Sequence, residues 1–232
     1  NLKTRKPYGD ESLYFSIATG RKVGVEPEKY QGLYKNNDGT IKVVGFEDMH
    51  KDLAKRNNNI KVNILGEELK KKGIAYIGDK SAAIIAADKS GNIKSGEIEI
   101  NYDENWLKER TNYHLLRTNI LVVSYDIGET KTRIQLLRKY IHEFKDYNIM
   151  ILPKQVSKEM KFILNRNLAP FIYVNGESRG LIKSSSTKRE GFVTLEDIFV
   201  ELLATNGKKS SLTVGNRINI LEKQNNLIEA KN

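Results

Sequence analysis

The sequence predicts an α/β fold with a mostly parallel central sheet flanked by helices. Three observations carry that prediction. Short β-like runs alternate with amphipathic helical stretches, the pattern of parallel strands joined by helical crossovers. Asn119-Ile120-Leu121-Val122-Val123-Ser124-Tyr125 is a short, nearly all-apolar run of the kind a buried central strand requires. Thr130 to Tyr147 then places Ile134, Leu137, Ile141 and Phe144 at helical spacing, with Lys131, Arg138, Lys139 and Lys145 opposite.

In chain order, Ser12 to Ala18 reads as a helix, with Ser12 or Asp10 as its N-cap and Gly20 just past its end. Residues 21–58 are polar and carry the turn signal Asn36-Asn37-Asp38-Gly39, so they read as an excursion with one short helix near 47–56. Ile64 to Lys72 reads as a helix stopped by Gly73, followed by a buried strand at Ile74-Ala75-Tyr76-Ile77. Ala83 to Ala87 reads as another strand, and Asp88-Lys89-Ser90-Gly91 as a turn. Ile93 to Ile100 alternates and is expected to be antiparallel or peripheral.

Asn105 to Arg117 is expected to be helical, and Ile149–Leu152 and Pro170–Val174 to be strands. Thr194 to Thr205 is a helix, with Thr194 as N-cap and Asp197 completing an approximate capping box. Residues 1–222 thus read as one domain, and 223–232 as a polar tail or linker at the end of a polar stretch beginning at Asn216.

A chain of 232 residues with 39% hydrophobic residues can bury a sizeable core, which argues against disorder over most of its length. The net charge of +10 has two readings. One is attraction to an anionic partner such as nucleic acid, a phospholipid surface or a wall polymer. The other is a lysine-rich, soluble surface, which the spread of the lysines along the chain favours. Lys70, Lys71 and Lys72 end a predicted helix, where cations complement the helix dipole.

The absence of cysteine excludes disulfides, Cys-ligated zinc and thiol catalysis. No apolar run reaches the ~18–20 residues that span a bilayer. No signal-peptide pattern opens the chain. It begins at Asn1, which leads us to expect a processed product, an excised domain or the ordered part of something longer, and an export signal or anchor could lie outside it.

Three stretches together resemble the alkaline phosphatase superfamily, in its phosphoglyceromutase-like branch. Ser12-Leu13-Tyr14-Phe15-Ser16-Ile17-Ala18-Thr19-Gly20 resembles the helix that follows the nucleophile there and ends in a Thr-Gly pair. Gly66-Glu67-Glu68-Leu69 through Gly73-Ile74-Ala75-Tyr76-Ile77-Gly78 looks like a helix-then-strand unit of the superfamily. Ser184-Ser185-Ser186-Thr187-Lys188-Arg189-Glu190-Gly191-Phe192-Val193-Thr194-Leu195-Glu196-Asp197-Ile198 is similar to its late Ser/Thr-Arg segment. In the superfamily a helix and a Gly-containing strand follow, here expected at Val214-Gly215-Asn216-Arg217. The resemblance spans roughly residues 8–222 and implies an extracytoplasmic domain of a bacterial membrane-associated protein.

The resemblance also implies a chemistry: two divalent metals held by Asp and His, and a Ser or Thr nucleophile at a helix N-terminus. The nucleophile position falls on Asp10, with Ser12 close by, and an N-cap role accounts for either residue without chemistry. Asp126 follows a predicted strand, with Glu129 and Thr130 where a His is expected. Asp126 and Glu129 could hold one hard cation through oxygen, or simply favour the N-terminus of the next helix.

Of the three histidines, His142 reads as a surface residue and His114 as core-edge packing. His50, beside Glu47, Asp48 and Asp52, reads as part of a solvated charged helix that could alternatively bind a metal. Pro153-Lys154-Gln155 stands where a later Asp-His pair is expected, the departure that weighs most against two-metal phosphoryl transfer.

The leading expectation is therefore a non-catalytic phosphatase-like domain that binds a partner protein or an anionic ligand. It would carry no cofactor, or at most a single divalent cation, and would reach a membrane only through segments outside this chain. One alternative is an active metal-dependent phosphatase or phosphomutase. The other is a basic nucleic-acid-binding module, for which no RNA motif or recognition helix speaks.

Overall fold

The computed structural model describes residues 4–56, 62–128, 131–154, 168–176, 178–209 and 212–222. The protein is a mixed α/β structure in which a three-stranded parallel sheet is accompanied by small antiparallel sheets. Helix α1 (Asp10–Thr19) is buried along almost its whole length, from Ser12 to Thr19. It is capped by the backbone of Gly9 rather than by a side chain, which corrects the assignment of Ser12 or Asp10 as N-cap. Gly20 ends it in the left-handed conformation (φ 64°) as expected.

Residues 21–56 supply seven members of the buried core, and the short helix expected near 47–56 is present. Strands β1 (Leu33–Lys35) and β2 (Ile41–Val43) pair antiparallel around the predicted turn. There Asp38 Oδ1 accepts from the Thr40 N–H at 2.9 Å. Helix α2 (Phe46–Arg56) follows, and Ile41, Val43, Phe46, Met49 and Leu53 are all essentially inaccessible. Overall polarity concealed this, because the buried residues fall at period two and then at helical spacing among many charged neighbours.

Helix α3 is only Leu65–Glu68, shorter than the predicted 64–72, and turns carry the chain through the lysines to Gly73. Strand β3 (Ile74–Ile77) is completely buried, as expected. The run expected as a strand at 83–87 is a 3₁₀ turn at Ser81–Ile85 instead. A short apolar run does not distinguish strand from helix by pattern, and Ala is a poor strand former. The predicted strand 93–100 is split in two. Strand β4 (Asn92–Ile93) pairs antiparallel with β2, and β5 (Ser95–Glu97) pairs parallel with β3.

Asp103 caps helix α4 (Glu104–Leu115), its side chain accepting from the Trp106 N–H. Strand β6 (Ile120–Val123) pairs parallel with β3 but lies at the edge of the sheet, in the order β5-β3-β6, and is only half-buried. Its apolar run reflects packing against α4 and the 3₁₀ turn, not a central position. Helix α5 (Lys131–Glu143) follows. Strands β7 (Ile149–Ile151) and β8 (Ile172–Val174) pair antiparallel with each other and do not extend the parallel sheet.

Strand β9 (Gly180–Lys183) pairs antiparallel with β10 (Asn219–Glu222), the two flanking helix α6 (Leu195–Ala204) in the chain. The Gly-containing segment 214–217 is therefore a loop, and the strand begins two residues later. Residues 216–222, expected to begin a linker, are docked, whereas 223–232 lie outside the described residues. One buried cluster joins α1, β2, α2, β3, the 3₁₀ turn and α6. No helix among the described residues is long and apolar enough to cross a membrane.

Candidate functional site at the carboxyl edge of the parallel sheet

In a parallel sheet the strand carboxyl ends and the loops leaving them form the usual place for a ligand. Two backbone bonds and one backbone-to-side-chain bond align that edge here. The Gly78 N–H donates to Glu97 O at 3.1 Å, Ser124 N–H donates to Ile77 O at 2.9 Å, and Asp126 N–H donates to the Tyr102 hydroxyl at 3.0 Å. Gly78 is needed there, since it has φ 145° and a Cβ would lie 2.7 Å from Ser124 Cβ. Asp79-Lys80 and Tyr125-Asp126 thus leave neighbouring strands at the same level.

The acidic end of α1 faces this edge. Burial raises the Tyr14 phenol strongly, and Asp10 and Glu11 raise it further. Burial also pushes Tyr30 up to about 12, with Glu11 and Asp79 adding to the shift, so acids from α1 and from the end of β3 act on one ring. The Tyr30 hydroxyl is buried with no hydrogen-bond partner among the described residues. Tyr76, fully buried and likewise raised by burial, donates to Lys80 O at 2.8 Å and accepts from Lys80 N–H at 3.1 Å. These phenols stay protonated near neutrality and line the edge as neutral groups.

Asp10, Asp79 and Asp126 at the rim are each met by a cation of the chain. Asp10 pairs with Lys154 at 2.7 Å, joining the start of α1 to the segment after β7. Asp79 pairs with Lys80 at 2.9 Å. Asp126 Oδ1 accepts from the Gly128 N–H at 2.9 Å, and its Oδ2 lies 3.3 Å from Arg133 Nη1. Arg133 also stacks over Tyr102, 3.9 Å from the ring centroid, and Tyr102 meets Tyr125 edge-on at 5.2 Å. Glu129, the proposed companion of Asp126, lies outside the described residues, as does Gln155.

Ser12 is not placed for nucleophilic attack. It is wholly buried, donating to Pro7 O at 2.6 Å and accepting from Val25 N–H at 2.9 Å. The hydroxyl thus ties α1 to Pro7 and to the segment 23–25. Asp10 is the first helical residue, where a carboxylate also favours the helix dipole.

The histidines do not converge. His142 is exposed on α5. His50 stacks on Phe46 at 6.3 Å, and burial lowers its pKa. Around it Glu47 pairs with Lys42, Asp48 with Lys51 and Asp52 with Lys29. His114 is 1% exposed. Its Nδ1 is 2.8 Å from Ser95 Oγ and its Nε2 3.4 Å from Glu97 Oε1, within ion-pair range but not in hydrogen-bond alignment. Ser, His and Glu in sequence of contact suggest nucleophilic catalysis. Ser95 is itself buried, however, and the three side chains pack β5 against α4. Among the described residues, no group of three or more His, Cys, Asp or Glu side chains is arranged to hold a metal ion.

The segment 184–198 forms a polar knot away from this rim. Asp197, wholly buried, accepts from Ser186 Oγ at 2.5 Å, Asn216 N–H at 2.8 Å and Thr194 N–H at 2.8 Å. The capping box predicted from Thr194 and Asp197 is complete. Glu201, one turn later and 1% exposed, takes both prongs of Arg217, the Ile218 N–H and the Tyr173 hydroxyl.

Sequence reading missed Asp79 and Glu97, although each had a signal. Asp79 follows a buried strand just as Asp126 does, and Ser95 and Glu97 share one face of a strand by their spacing of two. Comparison with protein-family models, characterised proteins and solved structures gives no match to this chain.

Proposed function

We propose that this chain is a non-catalytic, alkaline phosphatase-like domain of a bacterial membrane-associated protein, lying outside the cytoplasm, that binds a partner protein or an anionic ligand at the carboxyl edge of its parallel sheet. The reading is carried by the pairing of Asp10 with Lys154 and of Asp126 with Arg133. Carboxylates held by internal cations are poorly disposed to gather divalent metal, and the Ser12 hydroxyl is wholly buried. The same pairs suit recognition. An incoming phosphate or carboxylate can displace Asp10 or Asp126 from Lys154 or Arg133, exchanging one ion pair for another at little cost. The net charge of +10 adds long-range attraction for such a ligand.

The test pairs two assays on the full chain. Hydrolysis of a phosphomonoester is measured with zinc, magnesium or manganese, and binding of polyphosphate is measured against salt. The reading expects no metal-dependent turnover, and saturable, salt-sensitive binding that weakens in Arg133→Ala and Lys154→Ala. Turnover that is lost in Asp126→Ala overturns the non-catalytic assignment. Polyphosphate binding unchanged in both cation variants removes the rim as the anion site.

A further inference from the structure

We infer that His114 is a proton-sensitive latch: as the neutral ring it fastens α4 to β5, and when protonated it releases α4 and with it the tyrosine corner of the carboxyl edge. This goes beyond the proposed function and stands whatever the rim binds.

Both ring nitrogens face polar side chains. Nε2 lies 3.4 Å from Glu97 Oε1, within ion-pair range but outside hydrogen-bond alignment. Nδ1 lies 2.8 Å from Ser95 Oγ, the shorter of the two contacts, and in the neutral ring only one of the two nitrogens carries hydrogen. Thr118 Oγ1 donates to His114 O at 2.9 Å, at the end of α4.

The charged and titratable groups around the ring come from three elements. Glu97 and the neutral Ser95 belong to β5, Lys35 to β1, and Arg110 and Tyr113 to α4, with Tyr113 meeting the imidazole edge-on at 5.1 Å. Lys35 and Arg110 both pair with Glu97. With a neutral ring these groups sum to +1 (two cations and one carboxylate), and a second ring proton makes the sum +2 in a site where the imidazole is 1% exposed. In the imidazolium both nitrogens donate, so the Ser95 hydroxyl can serve Nδ1 only as an acceptor. Burial lowers the affinity of the ring for that proton, and Lys35 and Arg110 oppose it further, against the favourable pull of Glu97. Opening α4 restores water to the imidazolium, so the proton binds the released form more tightly and shifts the population toward it.

The release has somewhere to go. Tyr102 stands directly before the α4 cap Asp103, accepts from the Asp126 N–H and carries Arg133 over its ring. Moving α4 therefore unseats the contact that fixes the Asp126 loop.

Amide hydrogen exchange and histidine ring NMR on the full chain test the latch at about pH 7.5 and about pH 5, on either side of the ordinary histidine value. Amides of α4 are expected to exchange several-fold faster at the lower pH, after correction for intrinsic rates. His114→Gln should abolish that difference, while His50→Gln and His142→Gln should retain it. Equal α4 protection at the two pH values, or a response surviving in His114→Gln, overturns the latch. Should His114→Gln fail to fold, the unsubstituted chain decides the matter. A His114 ring that titrates at or above the ordinary histidine value overturns the proposal. Titration below it, in step with α4 exchange, supports it.

Discussion

Arg217 grips Glu201 with two prongs, Nε 2.6 Å from Oε2 and Nη2 3.0 Å from Oε1, although the arginine side chain is 55% exposed and the glutamate 1%. The carboxylate is the buried partner and the guanidinium covers it from the solvent side. Among the described residues, Arg217→Ala leaves that charge with only the Ile218 N–H and the Tyr173 hydroxyl. The expected loss is about 1–3 kcal/mol, set by leaving a charged acceptor underpaired and discounted for the open side of the pair. Urea unfolding checks it, and Glu201→Gln, which removes the charge itself, should cost less than Arg217→Ala.

Asp197 joins three chain segments through one carboxylate, since its acceptors serve Ser186, Thr194 and Asn216. Asp197→Ala is expected to destabilise the fold by about 3 kcal/mol, combining a lost cap with buried donors left unpaired. Thr194→Ala, which removes one cap bond alone, should cost about 1 kcal/mol. Equal losses in the two variants would show that Asp197 acts only as a cap.

Gly20 sits at φ 64°, and a Cβ there would come 2.6 Å from Cδ1 of the fully buried Phe199. Gly20→Ala combines left-handed strain with a collision between α1 and α6. A loss of about 2 kcal/mol is expected in thermal or urea unfolding. A neutral or stabilising effect would contradict the close packing of these two helices.

Burial depresses the folded-state proton affinity of both His50 and His114 below the ordinary histidine value. The unfolded chain thus binds more protons between the folded values and about 6.5, and stability rises with pH across that window. The stabilisation is complete above the unfolded value and is lost as pH falls through it toward the folded ones. Melting temperature should therefore drop between about pH 7.5 and about pH 5, and should drop less in His50→Gln. A melting temperature that rises on acidification contradicts the neutral state of both rings.

Local signals were legible where one residue type decides the outcome. The capping box of Thr194 and Asp197, Gly20 beyond α1 and the turn at 36–39 all follow from side-chain chemistry within a few residues. The buried strand 74–77 and the packing role of His114 were also readable. Sheet order was not, because pairing depends on which distant segments meet. Ile120–Val123 has the composition of a central strand and lies at an edge, and Ile149–Ile151 pairs with Ile172–Val174 outside the parallel sheet. The part of 21–58 that builds the core was concealed for a similar reason, since its apolar residues join a cluster with α1, β3 and α6. At the rim, Asp10 and Asp126 stood out by position along the chain, whereas Lys154 and Arg133, which occupy them, became visible only in three dimensions.

The state of the rim carboxylates is tested most directly by elemental analysis of the full chain after equilibration with zinc and manganese and removal of the excess. With Asp10 engaged by Lys154 and Asp126 by Arg133, metal should be recovered well below one ion per chain, and Asp10→Ala or Asp126→Ala should not change that content. A pair of divalent ions retained by each chain, and lost from either variant, would contradict the account.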